Sequence, residues 1–334
     1  MKRIARLAVV GAAGLVGETV LRVLESRGYT VDVLALFGGE RSAGSTLPAF
    51  GRKWPVNLLR DERDLAGFDA VFFAADAATS ARYAKPAAAA GAVVVDKSSL
   101  FRLDPDVPLV VPEVNTPAIG GARMIANPNC AVIPLAMTLA PIARAFGLAW
   151  ASVATYQSVS GAGRDALEEF RAQSAGSEVV RALPRRIVGN VVPENGPFDE
   201  NGDGEEERKI AAELRKILAM PALPVSATSV RVPVAVGHCE AIAFGTQTKA
   251  TSREEIAQAL MVAPGLTFLE GHQYATALDV AGSDDVIVGR LRPDAAHPGA
   301  WLCWVACDNL RKGAATNAVQ IVETVSAAAG KVAV

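Results

Sequence analysis

Cys130 stands in a context that suits a nucleophilic thiol. It ends the polar run Asn127–Cys130 and precedes the apolar stretch Ala131–Leu135, whose spacing indicates the start of a helix. Asn129 is of a residue type that caps helices, so we expect Cys130 in the first helical turn. The positive end of a helix dipole lowers the pKa of a thiol and increases its thiolate fraction. The sequence therefore predicts that Cys130 is a nucleophile.

The other three cysteines are predicted to be packing residues. Cys303 and Cys307 lie four residues apart on one face of a predicted strand, without the spacing of metal ligands. Cys239 follows His238, and the alternation of an extended chain turns these two side chains in opposite directions. Four cysteines are also too few for a disulfide scaffold. We predict no metal site.

His238 is the predicted acid/base partner of the thiol. The chain has three histidines, and His272 and His297 lie in turn contexts rich in glycine and proline, where we expect exposed side chains. His238 ends the strand-like segment Arg231–His238, which begins with a cation. This combination suits an acid/base group beside an anion site. A purely structural histidine is the alternative.

A glycine-rich turn near the start of the chain is predicted to bind a dinucleotide. The segment Gly11–Gly17 follows a buried strand and opens a helix, the context in which glycines let the backbone approach a pyrophosphate. Its spacing is GxxGxxG and not the common GxGxxG, so a tight turn without a ligand is the alternative. The predicted cofactor-binding residues in this turn are Gly11, Ala13, Gly14, Leu15, Val16 and Gly17.

The turn after the second predicted strand favours NADP over NAD. NAD-specific proteins place an acidic residue near the end of this strand, where it binds the ribose hydroxyls. Here Phe37 is followed by Gly38–Gly44, in which Arg41 can form a forked pair with a 2′-phosphate and Ser42 can donate a further hydrogen bond. Glu40 either pairs with Arg41 or points to water.

Alternating strand and helix patterns in the first third of the chain predict a parallel sheet with crossover helices. Its predicted strands are Leu7–Val10, Val31–Phe37, Ala70–Ala74 and Ala92–Val95. After a change of pattern near Cys130, the predicted strands are Leu148–Ser158, Glu240–Lys249, Val286–Leu291 and Trp301–Cys307. We expect a loop over Pro193–Glu207 and helices over Arg208–Leu218 and Ala314–Ala329.

These patterns predict an α/β fold with two domains, the number that 334 residues also suggest. A Rossmann-like NADP-binding domain is expected over residues 1–130, completed by residues 310–334 with the C-terminal helix. An α+β catalytic and dimerisation domain is expected over residues 131–309.

Composition limits the class of protein. Hydrophobic residues make up 51% of the chain and charged residues 20%, which fits a compact globular protein and not a disordered one. A net charge of −2 provides no large positive field, so nucleic acid and anionic membranes are poor partners. The first basic residues lead into the glycine turn and not into a signal peptide, and no stretch suits a membrane span. We therefore expect a cytoplasmic protein.

Motifs that are widely separated in the chain fit one known enzyme family when they are taken together. They are Gly11–Gly17, Glu40–Gly44, Ser98–Arg102, Val111–Asn115, Asn127–Cys130, Tyr156–Gly163, Arg231–His238 and Asp308–Asn317. In this order they resemble aspartate-β-semialdehyde dehydrogenase. That family reduces L-aspartyl-4-phosphate to L-aspartate-4-semialdehyde and phosphate with NADPH, in the biosynthesis of lysine, methionine and threonine. The resemblance implies NADP(H) as the cofactor, a small-molecule substrate and a homodimer.

The resemblance also implies the roles of the residues that perform the reaction. Cys130 would attack the acyl phosphate to form a thioester, which hydride from the nicotinamide would then reduce. His238 would take the thiol proton, and Gln157 would orient the substrate at the reacting carbon. Arg231 would bind the substrate carboxylate.

Further roles follow from the same resemblance. Glu213 and Lys216 share one face of the predicted helix, at positions i and i+3. Glu213 would bind the substrate ammonium, while Lys216 and Arg102 would hold its phosphate. The implied contacts with the cofactor are Ser160, Gly161 and Asn317.

Two alternatives remain open from the sequence. N-acetylglutamyl-phosphate reductase uses the same thiol chemistry on an acylated substrate, but an acetamide does not need a carboxylate partner such as Glu213. A catalytically silent paralogue that serves as a binding protein is the second. It is kept because Lys97 stands where the family usually has Asn. Gly39 stands where the family usually has Ser.

Overall fold

The computed structural model describes residues 2–248 and 252–328, so the ends of two predicted segments, Lys249 and Ala329, lie outside the described residues. These residues form two compact units. The first unit consists of the chain up to Pro128 together with the chain from Ala314 onward. The second unit is Asn129–Gly313.

Strands and helices are interspersed along both units. In chain order they are β1 (Lys2–Val10), α1 (Leu15–Ser26), β2 (Tyr29–Gly38), β3 (Thr46–Ala49), β4 (Arg52–Leu58), β5 (Ala70–Phe73), α2 (Ala77–Ala89), β6 (Val93–Asp96), α3 (Pro112–Asn115), β7 (Met124–Ala126), α4 (Val132–Phe146), β8 (Leu148–Gln157), α5 (Arg164–Ser174), α6 (Glu205–Ile217), β9 (Val225–Arg231), β10 (His238–Thr246), α7 (Arg253–Met261), β11 (Leu266–Phe268), α8 (Ala277–Val280), β12 (Val286–Pro293), β13 (Ala300–Cys307) and α9 (Thr316–Ala328).

The first unit contains the predicted parallel sheet. Its strand order is β3-β4-β2-β1-β5-β6-β7, and only the edge strand β3 runs antiparallel to its neighbour. Strands β2 and β5 flank β1, so the strand order reverses between β1 and β5. In open α/β sheets, ligands bind at this reversal of strand order.

Helices α1 and α9 pack against each other and against this sheet. Val20, Val23 and Leu24 recur at helical spacing along α1 and are fully buried. They share a core with Ile321 and Val322 of α9. A sequence-distant helix therefore contributes to the core of the first unit.

The second unit is built on a six-stranded mixed sheet of order β11-β12-β13-β10-β8-β9. Helix α4 packs against β10 and β13, and ten of its fifteen residues are buried. No helix in the described part of the chain, α4 included, is long and apolar enough to cross a membrane.

The sheet register brings three predicted site residues to the same end of three neighbouring strands. Strands β8 and β9 run parallel with Gln157 opposite Arg231, so both end at the same place. Strand β10 runs antiparallel to β8 and begins there with His238. The Arg231–His238 segment is therefore not one strand, because β9 ends at Arg231 and β10 starts at His238.

Two predicted helix starts were wrong. Helix α6 begins at Glu205, so the end of the predicted loop is helical. The Gly204 amide donates to the Glu207 carboxylate at 2.7 Å, which caps a helix start that the acidic run conceals in the sequence. Helix α4 begins at Val132, so Cys130 precedes its first turn.

Candidate active site

The thiol of Cys130 lies next to the imidazole of His238 in the second unit. The Sγ atom of Cys130 is 3.3 Å from Nε2 of His238. Cys130 is half-buried, and His238 is only 1% exposed. Although 108 positions separate them in the chain, folding brings together the two groups that the sequence predicts as partners.

Asn129 fixes the backbone that presents the thiol. Its Oδ1 accepts a hydrogen bond from the Ala131 amide at 2.8 Å, and its own amide donates to Oε2 of Glu213 at 2.7 Å. Its Nδ2 donates to Oε1 of Glu206 at 2.8 Å. Cys130 therefore lies in a turn that is anchored through the side chain and backbone of the preceding residue.

The surroundings of His238 favour its neutral form. Its Nδ1 accepts a hydrogen bond from the backbone amide of Ser158 at 3.0 Å, and the Ser158 hydroxyl lies 3.1 Å from the same nitrogen. Burial is the main cause that lowers the pKa of His238 to about 3, and the positive charge of Arg231 adds to it. A backbone hydrogen bond with Gly237 acts in the opposite direction, with a smaller effect.

Arg231 and Gln157 form a hydrogen-bonded pair of polar side chains near the thiol. Nη1 of Arg231 donates to Oε1 of Gln157 at 3.3 Å and to the Ser158 carbonyl at 2.9 Å. Burial lowers the pKa of Arg231, whereas the negative charges assigned to Cys130 and Glu206 raise it. This guanidinium is a buried cation that interacts electrostatically with Cys130, an arrangement that suits binding of a carboxylate.

Glu206 belongs to the site although its sequence context did not single it out. Its Oε1 accepts hydrogen bonds from Nδ2 of Asn129 and, at 3.2 Å, from Nε2 of Gln157. Its side chain is half-buried, so the carboxylate is not sealed in the core. The available signal was spacing, because Glu206 lies seven residues before Glu213 and shares its helix face once α6 is extended to Glu205.

Glu213 lies behind the site. It is 1% exposed, and its carboxylate accepts the Asn129 amide. Lys216 follows one turn later on α6 and is half-buried.

Ser160 and Gly161 lie near His238, the residue next to the thiol. The Ser160 hydroxyl is buried and accepts from Nδ2 of Asn309 at 3.0 Å. A Cβ atom added at Gly161 would lie 2.8 Å from Nη1 of Arg231 and 3.2 Å from Nε2 of His238. An alanine at this position would therefore have to displace the Arg231 guanidinium and press on the His238 ring.

The predicted dinucleotide turn lies at the reversal of strand order in the first unit. Gly11 has φ +79°, and a Cβ there would lie 2.5 Å from the Ala74 carbonyl oxygen, so the turn requires glycine. A Cβ at Gly17 would lie 2.3 Å from the Gly11 carbonyl oxygen. No side chain caps the start of α1, which leaves its first turn suited to an anionic ligand. These features fit a nicotinamide dinucleotide.

The remaining predicted site residues of the first unit differ in their exposure and hydrogen bonding. Arg41 is exposed in the turn after β2, next to Ser42, whose hydroxyl donates to the Gly39 carbonyl at 3.1 Å. Nη2 of Arg102 donates to the Lys97 carbonyl at 2.6 Å. Asn317 is fully buried, and its Nδ2 donates to the Val110 carbonyl and to Oδ1 of Asn127, both at 2.9 Å.

The other cysteines are buried, as the sequence predicted. Burial raises the pKa of Cys239 and of Cys303 to about 12 and that of Cys307 well above its ordinary value. In the described residues, no group of three or more His, Cys, Asp or Glu side chains could hold a metal ion. Cys130 is the cysteine placed to react.

Two family models match consecutive parts of the chain. Residues 6–122 match the NAD-binding domain of semialdehyde dehydrogenase. Residues 139–312 match the dimerisation domain of semialdehyde dehydrogenase. The first match accounts for the nicotinamide-binding fold of the first unit.

Named relatives match over nearly the whole chain. Aspartate-semialdehyde dehydrogenase of Aquifex aeolicus is 43% identical over 95% of this chain and 97% of its own. The enzyme of Shewanella violacea is 42% identical over 94% of this chain and 96% of its own. A crystal structure of aspartate semialdehyde dehydrogenase II from Vibrio cholerae, complexed with ASA, superposes with a TM-score of 0.92 at 38% identity and covers 98% of this chain and 99% of that one. With this fold and this thiol site, the chain belongs to the aspartate-semialdehyde dehydrogenase family.

Proposed function

We propose that this protein catalyses the NADPH-dependent reduction of L-aspartyl-4-phosphate to L-aspartate-4-semialdehyde and phosphate. The observation that carries the proposal is the Cys130–His238 pair, beside which Gln157 and the buried guanidinium of Arg231 converge. Family membership narrows the chemistry of this thiol to acyl transfer followed by reduction. The product supplies the biosynthesis of lysine, methionine and threonine.

Cys130 is the proposed nucleophile. Its sulfur attacks the acyl carbon, a C–S bond forms, and the phosphate leaves with the electron pair of the C–O bond. Gln157 lies at the end of β8 and orients the acyl group by hydrogen bonding, a positioning role. When bound, NADPH supplies the hydride that reduces the resulting thioester.

Charges of both signs recognise the amino-acid part of the substrate. Arg231 pairs with the α-carboxylate through its planar fork. We assign the ammonium to Glu206 in place of Glu213, because Glu206 is half-buried beside Gln157 whereas Glu213 is sealed behind the Asn129 amide. Arg102 and Lys216 remain the proposed phosphate-binding residues.

The first unit is the proposed NADP-binding domain. Gly11, Ala13, Gly14, Leu15, Val16 and Gly17 would hold the pyrophosphate. Arg41 and Ser42 would hold the 2′-phosphate that distinguishes NADP from NAD. Ser160, Gly161 and Asn317 stay proposed cofactor contacts.

The second unit is the proposed catalytic and dimerisation domain. A homodimer is supported by the description of the family model that matches residues 139–312. The role in amino-acid biosynthesis supports a cytoplasmic location.

N-acetylglutamyl-phosphate reductase is not favoured as the alternative. Its substrate carries an acetamide, which has no positive charge to pair with Glu206. The named relatives are also all of the first class. A silent paralogue is disfavoured because Cys130, His238, Gln157 and Arg231 are all present and converge.

The test is the reverse reaction, in which NADP is reduced in the presence of aspartate semialdehyde and phosphate. We expect phosphate-dependent formation of NADPH by the wild type and none by Cys130→Ser. Cys239→Ser is the matched control and should stay active. Wild-type protein that reduces NADP only with an N-acetylated semialdehyde would refute the proposed substrate.

A further inference from the structure

The side-chain amide of Gln157 has one orientation that fits its charged neighbours. Its Oε1 lies 3.3 Å from Nη1 of Arg231, a group that only donates hydrogen bonds. Its Nε2 lies 3.2 Å from Oε1 of Glu206, and a carboxylate only accepts them. Gln157 is 1% exposed, so these neighbours and not solvent set its direction. The nitrogen has two hydrogens to donate, and Glu206 accepts one of them.

Ser229 provides an acceptor for the second hydrogen. It lies two residues before Arg231 on β9, and the alternation of a strand turns both side chains to the same face. Its Oγ is 3.2 Å from Nε2 of Gln157, and the residue is 2% exposed. Oγ1 of Thr155 is farther from this nitrogen, at 3.4 Å. The Ser229 hydroxyl is therefore the nearer of the two hydroxyls at this amide.

Neighbours from a strand, a helix and a loop hold Ser229 in place. Its backbone amide donates to Oε1 of Glu207 at 2.9 Å, and the other oxygen of that carboxylate caps the start of α6. Nδ2 of Asn195, in the loop before α6, lies 2.7 Å from Oγ of Ser229. Oγ1 of Thr155 on β8 lies 3.2 Å from the same oxygen. The position of this buried hydroxyl is therefore fixed independently of Gln157.

We propose that Ser229 is a positioning residue for the reaction and acts by holding the amide nitrogen of Gln157. The inference deepens the proposed function and rests on it for the identity of the substrate. The contact between the two side chains does not depend on that identity, because it is present without a ligand.

The contact matters because the two hydrogens of the Gln157 amide go to different kinds of acceptor. Glu206 is the residue that we assign to the substrate ammonium. When the ammonium pairs with Glu206, it competes with the amide hydrogen that Glu206 accepts, and that hydrogen is released for the acyl group of the substrate. Ser229 keeps the other hydrogen throughout. Gln157 can thus change one partner without losing its place, which keeps the acyl group oriented at the thiol.

A double-mutant cycle tests whether Ser229 acts through Gln157. Ser229→Ala removes one hydrogen-bond acceptor and should lower kcat for NADP reduction by about tenfold, with less than about a threefold change in KM for aspartate semialdehyde. Gln157→Ala should lower kcat by about 10²-fold, the effect of a misplaced reacting group. In the Gln157→Ala background, Ser229→Ala should cause no further loss. Losses that multiply in the double variant would overturn the proposal, because Ser229 would then act without Gln157.

Ser226→Ala is the matched control. Ser226 lies on the same strand, but it is exposed, and its hydroxyl donates to Oγ of Ser152. We expect kcat and KM of this variant to equal those of the wild type. A loss of kcat as large as that of Ser229→Ala would contradict the proposal, because any hydroxyl removed from β9 would then have the same effect.

Nitrogen NMR of protein labelled at the glutamine side-chain amides tests the contact without substrate. The chain has six glutamines, and the signals that Gln157→Glu removes identify Gln157. We expect one of its two amide hydrogens to move upfield in Ser229→Ala, because it loses its acceptor, and neither to move in Ser226→Ala. If neither moves in Ser229→Ala, Ser229 does not hold Gln157. A wild type that fails to reduce NADP with aspartate semialdehyde would refute the proposed function and leave this readout unaffected.

Discussion

The carboxylate of Glu213 accepts the backbone amide of Asn129, the residue before the nucleophile, at 2.7 Å. This contact joins α6 to the turn that carries the thiol, across 84 positions of sequence. Two glutamates of α6 therefore have different roles. Glu213 supports the backbone from inside the core, whereas Glu206 lines the site.

Substitution of the two glutamates should separate these tasks. Glu206→Gln removes the charge that we assign to the substrate ammonium, so we expect KM for aspartate semialdehyde to rise by about tenfold or more. Glu213→Gln keeps an oxygen acceptor for the Asn129 amide, so we expect little change in KM and a lower melting temperature. Steady-state kinetics and thermal unfolding of both variants make the comparison. The reverse pattern would restore Glu213 as the ammonium partner.

Alkylation should identify Cys130 as the only fast-reacting thiol. At pH 8, a buried thiol with a pKa of about 12, such as Cys239, holds about one part in ten thousand as thiolate. We expect iodoacetamide to modify one site quickly, with phosphate and substrate analogues protecting it. Peptide mapping by mass spectrometry checks this, and Cys130→Ala should lose both the fast modification and all reduction. Fast modification of Cys239 would show that Cys239 is the nucleophile and Cys130 the packing residue.

Replacement of Arg41 should change cofactor preference. The pair between a guanidinium and a 2′-phosphate is a charge-assisted hydrogen bond worth about 1.5–3 kcal/mol. Arg41→Ala should therefore weaken binding of NADP by about 10–150-fold and leave that of NAD nearly unchanged. Kd values for both cofactors are compared with those of Arg63→Ala, which removes an exposed arginine paired with Asp61. Equal losses for NADP and NAD would exclude the proposed role.

Glu240 should make the fold less stable as the pH rises. It is fully buried on β10, and neither carboxyl oxygen has a hydrogen-bond partner within residues 2–248 and 252–328. Burial raises its pKa well above the ordinary value of 4.5. Folding favours the protonated form of Glu240. Its contribution to the free energy of unfolding is therefore fully present below pH 4.5 and is lost as the pH rises toward the folded-state pKa. The loss is about 1.4 kcal/mol per pH unit.

The corresponding measurement is urea unfolding between pH 5 and 8. In Glu240→Gln, the free energy of unfolding should fall less with rising pH, so the variant should become more stable relative to the wild type as the pH rises. Glu168→Gln, which removes an exposed carboxylate on α5, is the control and should follow the wild type. Parallel curves for Glu240→Gln and wild type would show that Glu240 has an ordinary pKa.

Gly161→Ala should impair catalysis without unfolding the protein. The added Cβ would displace the guanidinium of Arg231, 2.8 Å away, and press on the ring of His238. We expect a loss of kcat/KM of about 10²-fold, the size of effect that a misplacement of catalytic groups produces. Circular dichroism and melting temperature should stay near those of the wild type. Full activity would mean that Arg231 moves freely.

The sequence alone determined the chemistry and the fold class. The context of Cys130 and the glycine turn at Gly11–Gly17 are local signals, because a strand–turn–helix junction can be read from neighbouring residues. The glycine turn likewise predicted the helix that it opens, which is α1. Four of the seven strands of the first sheet and four of the six strands of the second follow from such runs, with ends shifted by a few residues. The runs did not reveal β3, β4, β7, β9 and β11.

Only the tertiary structure decided which groups face each other. The register of β8, β9 and β10 sets Gln157, Arg231 and His238 at one edge, and no local pattern records a pairing between distant strands. Glu206 escaped notice because an acidic run before a helix also reads as a solvated loop. The environment of His238 is the clearest case: its Nδ1 lies 3.0 Å from the backbone amide of Ser158, and a main-chain group has no signature in the sequence of side chains.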